Sequence, residues 1–479
     1  MSAVMSTVLM YGSALIAVAV VVFMLIKKMD IKITLLLMGV VLMFIGIATG
    51  NGIAIKDFVG TGAVWLDPLK AIADQFKSTL SAAGFIILIL GGYSAYMSSI
   101  GANEVTVSVL TKPIGKIKSV YFLVPVVFLL GNLLSLVIPS ASNLAIILLA
   151  TLYPVMVKAG MSSLTAAGII ATTATVIPTP LGSDNVAIAE ELAKTTEFAG
   201  LTPTEYVFRY HALVSIPTLL VMAIAHYFWQ RHMDKKLGAD RATDLADVQD
   251  VKAIEGGKLF KTVYAILPLL PIILLIIVFA VQSITNLDIN ISVEVATLFS
   301  FVIAMVCEII RKRKVKAALD GTETFFKGMG GAMPIVALLV AASVFVTGLK
   351  SIGLIGALQN AMLGIQGGNL GFVLPLILVG LTALIVILSG SGTALFFAMV
   401  PLMVPLATAA GINVLAISIP MGLAGNLLRA VSPVAAVTMI VAGSVKKSPL
   451  EIVKRTSFPM IIGTVFMFVL SMIVFLPMS

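Results

Sequence analysis

Arg429 is the basic residue whose place in the sequence is hardest to reconcile with contact to water. The chain has 31 Lys and Arg residues, and Arg429 alone among them lies inside an apolar run, at 422–433. A cation at membrane depth costs on the order of 3 kcal/mol or more, so it usually faces a water-filled cavity. We therefore expect Arg429 either to contact an anion or to pair with a buried carboxylate.

Four polar segments containing Pro or Gly carry the other candidate site residues. Two are tips between apolar arms, at 139–143 and 389–393, and two interrupt long apolar runs, at 177–185 and 425–433. Pro and Gly break helices, and the N–H and C=O groups released can bind anions and cations. The candidate substrate-binding residues are Ser140, Ser142, Asn143, Ser389, Ser391, Gly392, Thr393, Asn426, Arg429 and Ser432. The candidate residues for a coupling ion or proton are Asp184, Thr179, Ser183 and Asn185.

Asp184 is a carboxylate within one of the interrupted runs, and three roles fit it. It could pair with Arg429, carry a proton or bind a cation. Small polar residues in membrane helices also serve simply as packing and hydrogen-bonding groups. The scattered histidines, His211, His226 and His232, are predicted to be surface residues near the membrane boundaries. No His/Cys cluster indicates a metal site, and no cofactor is expected.

Composition places the chain among all-α polytopic membrane proteins. Hydrophobic residues make up 59% and charged residues only 11% of the sequence, and the mean hydropathy is +1.12. No water-soluble globule of this length is so apolar. The apolar runs are continuous, which excludes the alternating pattern of a β-barrel. The net charge of +9 comes from short loops between spans, so it does not indicate binding to nucleic acid.

The apolar runs predict about ten transmembrane helices plus two re-entrant hairpins. The predicted spans are 7–26, 31–49, 79–99, 163–198, 209–229, 262–282, 290–310, 329–349, 412–443 and 457–477. The runs 163–198 and 412–443 are too long for one straight helix and are predicted to be broken. The runs 119–158 and 369–409 each have a polar tip near the centre and are predicted to be hairpins.

The basic residues between spans predict the orientation of the chain. With this set of spans, 24 of them fall on one side of the membrane, Arg455 included, and six on the other. The side with 24 is predicted to be cytoplasmic. Both termini then lie outside, and 230–261 is a cytoplasmic connector. The hairpin at 119–158 enters from the cytoplasm, and the hairpin at 369–409 enters from outside.

Short matches about 251 residues apart predict an internal repeat. The matched residues include Ser99-Ile100-Gly101 with Ser351-Ile352-Gly353, Pro154 with Pro405, Gly160 with Gly411, and Pro180 with Pro433. Chance similarity of apolar segments is the alternative. The two repeats, 1–229 and 262–479, each contain an odd number of spans, so the second is predicted to be inverted. Inverted repeats with broken helices are typical of secondary transporters.

Several segments together resemble the DcuC-type C4-dicarboxylate carriers, within the larger ion transporter superfamily. The resemblance covers nearly the whole chain. The segments that carry it are 91–97 with 100–103, 149–157, 226–231 with 234–236, 389–392, 426–429 with 432–434, and 448–457.

This resemblance implies a homodimeric carrier of succinate, fumarate or malate in the bacterial cytoplasmic (inner) membrane. It implies efflux or exchange by an elevator motion of a transport domain against a scaffold domain. In the superfamily, Ser-Asn-Thr motifs at hairpin tips bind sodium and substrate carboxylates. Only part of that motif occurs here, which favours coupling to H+ or plain exchange over coupling to Na+.

Other function classes fit the sequence less well. A carrier for another organic anion or an amino acid and a sodium-coupled dicarboxylate symporter are the alternatives within transport. An enzyme is not expected, because the chain has neither His-Glu-x-x-His nor Gly-x-Ser-x-Gly. A channel would need a symmetric ring of filters, and an ATP-driven pump would need a phosphate-binding loop.

Overall fold

The described part of the chain is built from α-helices and connecting turns. The computed structural model describes residues 3–27, 29–55, 57–117, 119–138, 140–237, 257–285, 289, 291–357, 371–390 and 392–478. These residues contain no β-strand, and eight helices among them are long and apolar enough to span a membrane. The predicted all-α polytopic membrane architecture is therefore confirmed.

The helices before residue 238 include those of the first hairpin and of the first interrupted run. In chain order they are α1 (Ala3–Ile26), α2 (Ile31–Ala48), α3 (Asp67–Thr79), α4 (Phe85–Ser99), α5 (Ala102–Thr111), α6 (Val120–Ser135), α7 (Ala141–Thr151), α8 (Tyr153–Lys158), α9 (Ser163–Ala171), α10 (Ser183–Leu192) and α11 (Ala212–Leu237). Of these, α6, α7 and α8 belong to the first hairpin, and α9 and α10 belong to the first interrupted run. Apolar runs form helices here because lipid offers no partner to backbone groups, which must bond within the segment. Helix α11 extends into the predicted connector 230–261, whose residues 238–256 lie outside the described part.

The helices after residue 256 follow a similar order. They are α12 (Lys258–Ile266), α13 (Leu270–Thr285), α14 (Val293–Lys312), α15 (Val315–Gly321), α16 (Glu323–Ser351), α17 (Val373–Ser389), α18 (Gly392–Ala410), α19 (Leu415–Arg429), α20 (Ala436–Ser444) and α21 (Pro449–Phe475). Both halves contain a hairpin, then an interrupted run, then a long final helix. The inverted orientation and the boundaries of the two repeats stay predictions.

The apolar runs 163–198 and 412–443 are each interrupted near the middle. The first break, residues 172–182, separates α9 from α10, and the second break, residues 430–435, separates α19 from α20. Pro178 and Pro180 lie in the first break, where they remove N–H groups that a continuous helix would need. The second break contains Pro433. Both breaks therefore expose backbone groups in the interior of the protein.

The tip of the second hairpin, between α17 and α18, lies directly against the second break and the end of α19. Gly390 has a φ of +74°, and a Cβ added to it would lie 2.6 Å from the carbonyl oxygen of Val434. A Cβ added to Gly392 would lie 2.4 Å from the carbonyl oxygen of Gly425. Glycine is required at both positions because the backbones approach so closely.

The first hairpin lies against the first break in a comparable way. A Cβ added to Gly131, near the end of α6, would lie 2.1 Å from the Cγ2 atom of Thr173. Each hairpin thus contacts the interruption in the run that follows it. The backbone groups at each break are therefore enclosed by protein where they would otherwise face lipid.

Helices α2, α4 and α16 form a tightly packed layer of small residues. A Cβ added to Gly348 of α16 would lie 2.7 Å from the carbonyl oxygen of Gly39 in α2. A Cβ added to Gly91 of α4 would lie 2.7 Å from the Cβ of Ala332 in α16. Close approach at small residues is how membrane helices gain packing energy. None of the predicted site residues lies on these three helices.

The close contact at the tip of the second hairpin gives a test by substitution. We expect Gly392→Ala to destabilise the protein by about 1–3 kcal/mol, because the new methyl group overlaps backbone that cannot move freely. The matched control is Gly380→Ala in α17, where a Cβ would meet nothing within 4 Å. The control should be neutral or slightly stabilising. Thermal unfolding in detergent measures both, and equal shifts would contradict the close contact.

Candidate functional site

The first break is stabilised by side chains of Thr179, within it, and of Asn185, just after it. Asn185 is 2% exposed, and its Nδ2 donates to the carbonyls of Ile177 and Thr179, at 2.9 Å in each case. The hydroxyl of Thr179 accepts the backbone N–H of Leu181 at 3.2 Å. Both of these predicted coupling residues therefore stabilise the non-helical backbone of the break.

Asn132 of α6, which the sequence analysis missed, supplies the other partners of the first break. Its Oδ1 accepts the backbone N–H groups of Thr175 and Val176, at 3.1 and 3.3 Å. Its Nδ2 donates to the carbonyls of Phe128 and Thr172, at 3.0 and 3.4 Å. The side chain is 1% exposed. The available signal was a single amide near the end of an otherwise apolar hairpin arm.

Arg429 at the end of α19 links the two interrupted runs. One terminal nitrogen of its guanidinium donates to the carbonyl of Ala174 in the first break at 2.8 Å. The other donates to Oδ1 of Asn426 at 3.3 Å, and Asn426 Nδ2 donates to Asp184 Oδ2 at 2.9 Å. Asp184 and the neighbouring Ser183 are only partly buried at the start of α10. Three predicted site residues thus form one network.

Two roles were predicted for Arg429, a direct pair with Asp184 or contact with an anion. Within the described part of the chain, the Asn426 amide lies between the two groups and no carboxylate forms an ion pair with Arg429. A guanidinium has five N–H donors, and two of them are used in these residues. The side chain is partly buried. The remaining N–H groups can therefore donate to an anion without breaking an ion pair.

The residues around the tip of the second hairpin divide between structural and accessible positions. Ser432 is fully buried, and its hydroxyl donates to the carbonyl of Ile387 at 2.8 Å, which fastens the hairpin to the second break. Ser389 is partly buried and Thr393 is exposed. Ser391 lies outside the described residues. Of these, Thr393 is the most exposed.

The tip of the first hairpin does not join the network of Arg429. The hydroxyl of Ser140 accepts the backbone N–H of Asn143 at 3.4 Å and so caps the start of α7. Asn143 is exposed and Ser142 is partly buried. No hydrogen bond connects these side chains to Asp184 or Arg429 within the described residues. Their predicted role in binding substrate stays a prediction.

Two of the three histidines are placed differently from the prediction. His211 is 3% exposed and His226 is fully buried, so the prediction of surface positions was wrong for both, while His232 is exposed. Arg455, assigned to a loop at the cytoplasmic side, is also buried and pairs with Asp234. Hydropathy gives the depth of a residue in the membrane but not the face of the helix that carries it.

Long apolar helices, two hairpins and two facing helix breaks define a polytopic membrane protein with a polar centre. Solved structures share this fold. The YdaH transporter of Alcanivorax borkumensis has a TM-score of 0.63 at 16% identity, covering 92% of this chain and 97% of that one. MtrF of Neisseria gonorrhoeae has a TM-score of 0.58 at 14% identity, covering 93% and 95%.

The sequence itself identifies the family. The model of the C4-dicarboxylate anaerobic carrier family, DcuC, matches residues 10–476. The anaerobic C4-dicarboxylate transporter DcuC of Escherichia coli (strain K12) is 34% identical over 432 residues, 90% of this chain and 89% of the relative. The probable counterpart in Vibrio cholerae is 34% identical over 433 residues, 90% of each chain. The chain belongs to this family of transporters, which confirms the predicted resemblance.

The bonds of Asn132 predict its importance for stability. Asn132→Ala should leave buried backbone N–H groups of the first break without partners, and each such group costs about 1–3 kcal/mol. We therefore expect a clear drop in the midpoint of thermal unfolding in detergent. Asn51→Ala, at an exposed loop residue, is the control and should unfold at the original temperature. An unchanged midpoint for Asn132→Ala would show that the break is held by other groups.

Proposed function

We propose that the protein is a secondary transporter of C4-dicarboxylates such as succinate, fumarate and malate, working in efflux or exchange. The family assignment supports this proposal, as do the relatives that share 34% of the sequence over 90% of the chain and are named for C4-dicarboxylate transport. The polar network at the two breaks supplies a place where such a substrate could bind.

The observation that carries the proposal is the environment of Arg429. Its guanidinium is partly buried between the two breaks and bonds only neutral groups, the Ala174 carbonyl and the Asn426 amide, in the described residues. A cation held in this way lacks a counter-charge in direct contact. Since an uncompensated charge in a dry site is very unfavourable, a substrate carboxylate is the partner that this geometry favours.

The second carboxylate of the substrate needs a separate partner. We assign it to the tip of the second hairpin, where Thr393 is exposed at the start of α18. The first N–H groups of a helix attract anions because they have no partner within the helix. The tip of the first hairpin, with Ser140, Ser142 and Asn143, closes the site from the other side in this proposal.

Charge also bears on how transport is coupled. Moving a dianion without compensation across about 100 mV involves roughly 4.6 kcal/mol, twice the value for a single charge. Exchange for another dianion or movement together with protons removes that cost. We assign the proton to Asp184, which is partly buried and lies one amide away from Arg429. Sodium coupling is the alternative that an imposed gradient would reveal.

We further propose an elevator mechanism in a homodimer of the bacterial inner membrane. The layer of α2, α4 and α16 serves as scaffold, because it carries none of the site residues. The hairpins and broken helices form the transport domain and move together, because each hairpin is packed against a break. The excess of basic residues on one side, 24 against six, orients both termini to the outside.

Removing the guanidinium tests the substrate site. We expect Arg429→Ala to weaken succinate binding by about 100-fold or more, because charge-assisted hydrogen bonds to a carboxylate are lost. Uptake of labelled succinate into proteoliposomes, with counterflow, measures the effect. Arg209→Ala removes an exposed arginine that pairs with Glu205 at 3.6 Å and should transport normally. Succinate binding that survives in folded Arg429→Ala protein would remove this residue from the site.

Asp184→Asn separates proton coupling from binding. The asparagine keeps the size of the side chain and can still accept the bond from Asn426, but it cannot carry a proton. We expect net uptake to lose its response to an imposed proton gradient while succinate exchange continues. Glu191→Gln, at a carboxylate paired with Lys194 at 2.6 Å, is the control. If exchange and net uptake fall together, Asp184 does not carry the proton.

A further inference from the structure

The segments around Trp229 in α11 and Arg455 in α21 are packed together, although they lie far apart in the sequence. The indole N–H of Trp229 donates to the carbonyl of Lys454 at 2.9 Å. The side-chain amide of Gln230 donates to the carbonyl of Arg455 at 2.9 Å. Both segments carry the family resemblance, yet neither contributes a side chain to the network of Arg429. Their contacts therefore need a different explanation.

Arg455 fixes α21 to the start of the first interrupted run. Its guanidinium lies 2.7 Å from Asp234 Oδ1, and the two side chains are 2% and 3% exposed. The Asp234 carboxylate also accepts the hydroxyls of Ser162 and Thr165, at 2.9 and 3.0 Å. Ser162 is the N-cap of α9, where its hydroxyl accepts the N–H of Thr165. The ion pair is thus built onto the first turn of α9.

The next residue, Thr456, reaches the second interrupted run. Its hydroxyl donates to the carbonyl of Ala430 at 2.6 Å, and the side chain is fully buried. Ala430 caps the end of α19 and directly follows Arg429. Two adjacent residues of one helix are therefore bonded to both interrupted runs, Arg455 at the start of the first and Thr456 at the break of the second.

We propose that Arg455 and Thr456 are positioning residues that hold the two interrupted runs in register and so aim the Arg429 guanidinium at the first break. A buried ion pair adds little net stability compared with apolar residues of similar size. Fixing a geometry is the use of such a pair that fits these contacts. The effect on transport rests on the proposed function, whereas the effect on the second break does not.

The hydroxyl of Thr456 can be removed almost without a change in shape. Thr456→Val deletes the bond to Ala430, and Thr464→Val is the matched control. Thr464 lies two turns along the same helix, is 8% exposed, and donates only to Met460 within α21, at 2.9 Å. We expect faster amide hydrogen exchange in peptides covering 430–435 for Thr456→Val but not for Thr464→Val. Equal exchange in the two variants would overturn the positioning role.

Transport kinetics supply the second measurement. Thr456→Val should raise the succinate concentration for half-maximal uptake roughly threefold to tenfold, as expected for one hydrogen bond, while the maximal rate stays within about twofold. A merely structural role would lower the maximal rate, through loss of folded protein, and leave the half-maximal concentration unchanged. That pattern would contradict the proposal, and so would transport kinetics of Thr456→Val that equal those of Thr464→Val.

Arg455→Lys tests the ion pair while keeping a positive charge beside the buried Asp234 carboxylate. Lysine keeps the positive charge but lacks the planar fork that reaches several acceptors. We expect Arg455→Lys to speed amide hydrogen exchange at 430–435 and to raise the succinate concentration for half-maximal uptake, as Thr456→Val does. A different outcome is that the unsubstituted protein takes up no succinate while amide hydrogen exchange at 430–435 still differs between Thr456→Val and Thr464→Val. In that case the proposed function fails and the positioning role stands. Unaltered amide hydrogen exchange at 430–435 in Arg455→Lys would remove Arg455 from the positioning role.

Discussion

A helix that is interrupted inside a membrane leaves backbone N–H and C=O groups that lipid cannot satisfy. This protein has two such interruptions, 172–182 and 430–435, and side chains of other helices supply partners to them. Asn132 reaches the first from a hairpin arm. Thr456 reaches the second from the last helix. Arg429 bonds a carbonyl of the first from the helix that ends at the second.

The same need accounts for the buried polar residues near the breaks. Asn185, Thr179 and Ser432 are buried and spend their hydrogen bonds on the backbone near the breaks. A few partly buried groups lie near them. Asp184 and Arg429 are the charged members of that set, and the Asn426 amide keeps them apart. The proposed site for a charged solute therefore consists of residues whose neighbours already satisfy the backbone.

The sequence predicted the helical class of the protein and its family, because these depend on composition and on residues in recognisable contexts. An arginine inside an apolar run is visible without knowing how the helices rotate. Asn132, Arg455 and the histidines were missed or misplaced because their roles depend on which face of a helix is buried. Ser432, a predicted substrate contact, donates to the carbonyl of Ile387, and its predicted role stays a prediction because small polar residues serve packing and binding equally well.

The two enclosed arginines show why burial alone does not identify a binding site. Arg455 is the more deeply buried, but it lies 2.7 Å from the Asp234 carboxylate, so its charge is compensated within the protein. Arg429 is more accessible and bonds a carbonyl and an amide, neither of which carries a charge. The free energy of holding a guanidinium in this position falls when an anion arrives. A compensated arginine gains nothing comparable, which is why Arg429 is the proposed contact for a substrate carboxylate and Arg455 the proposed positioning residue.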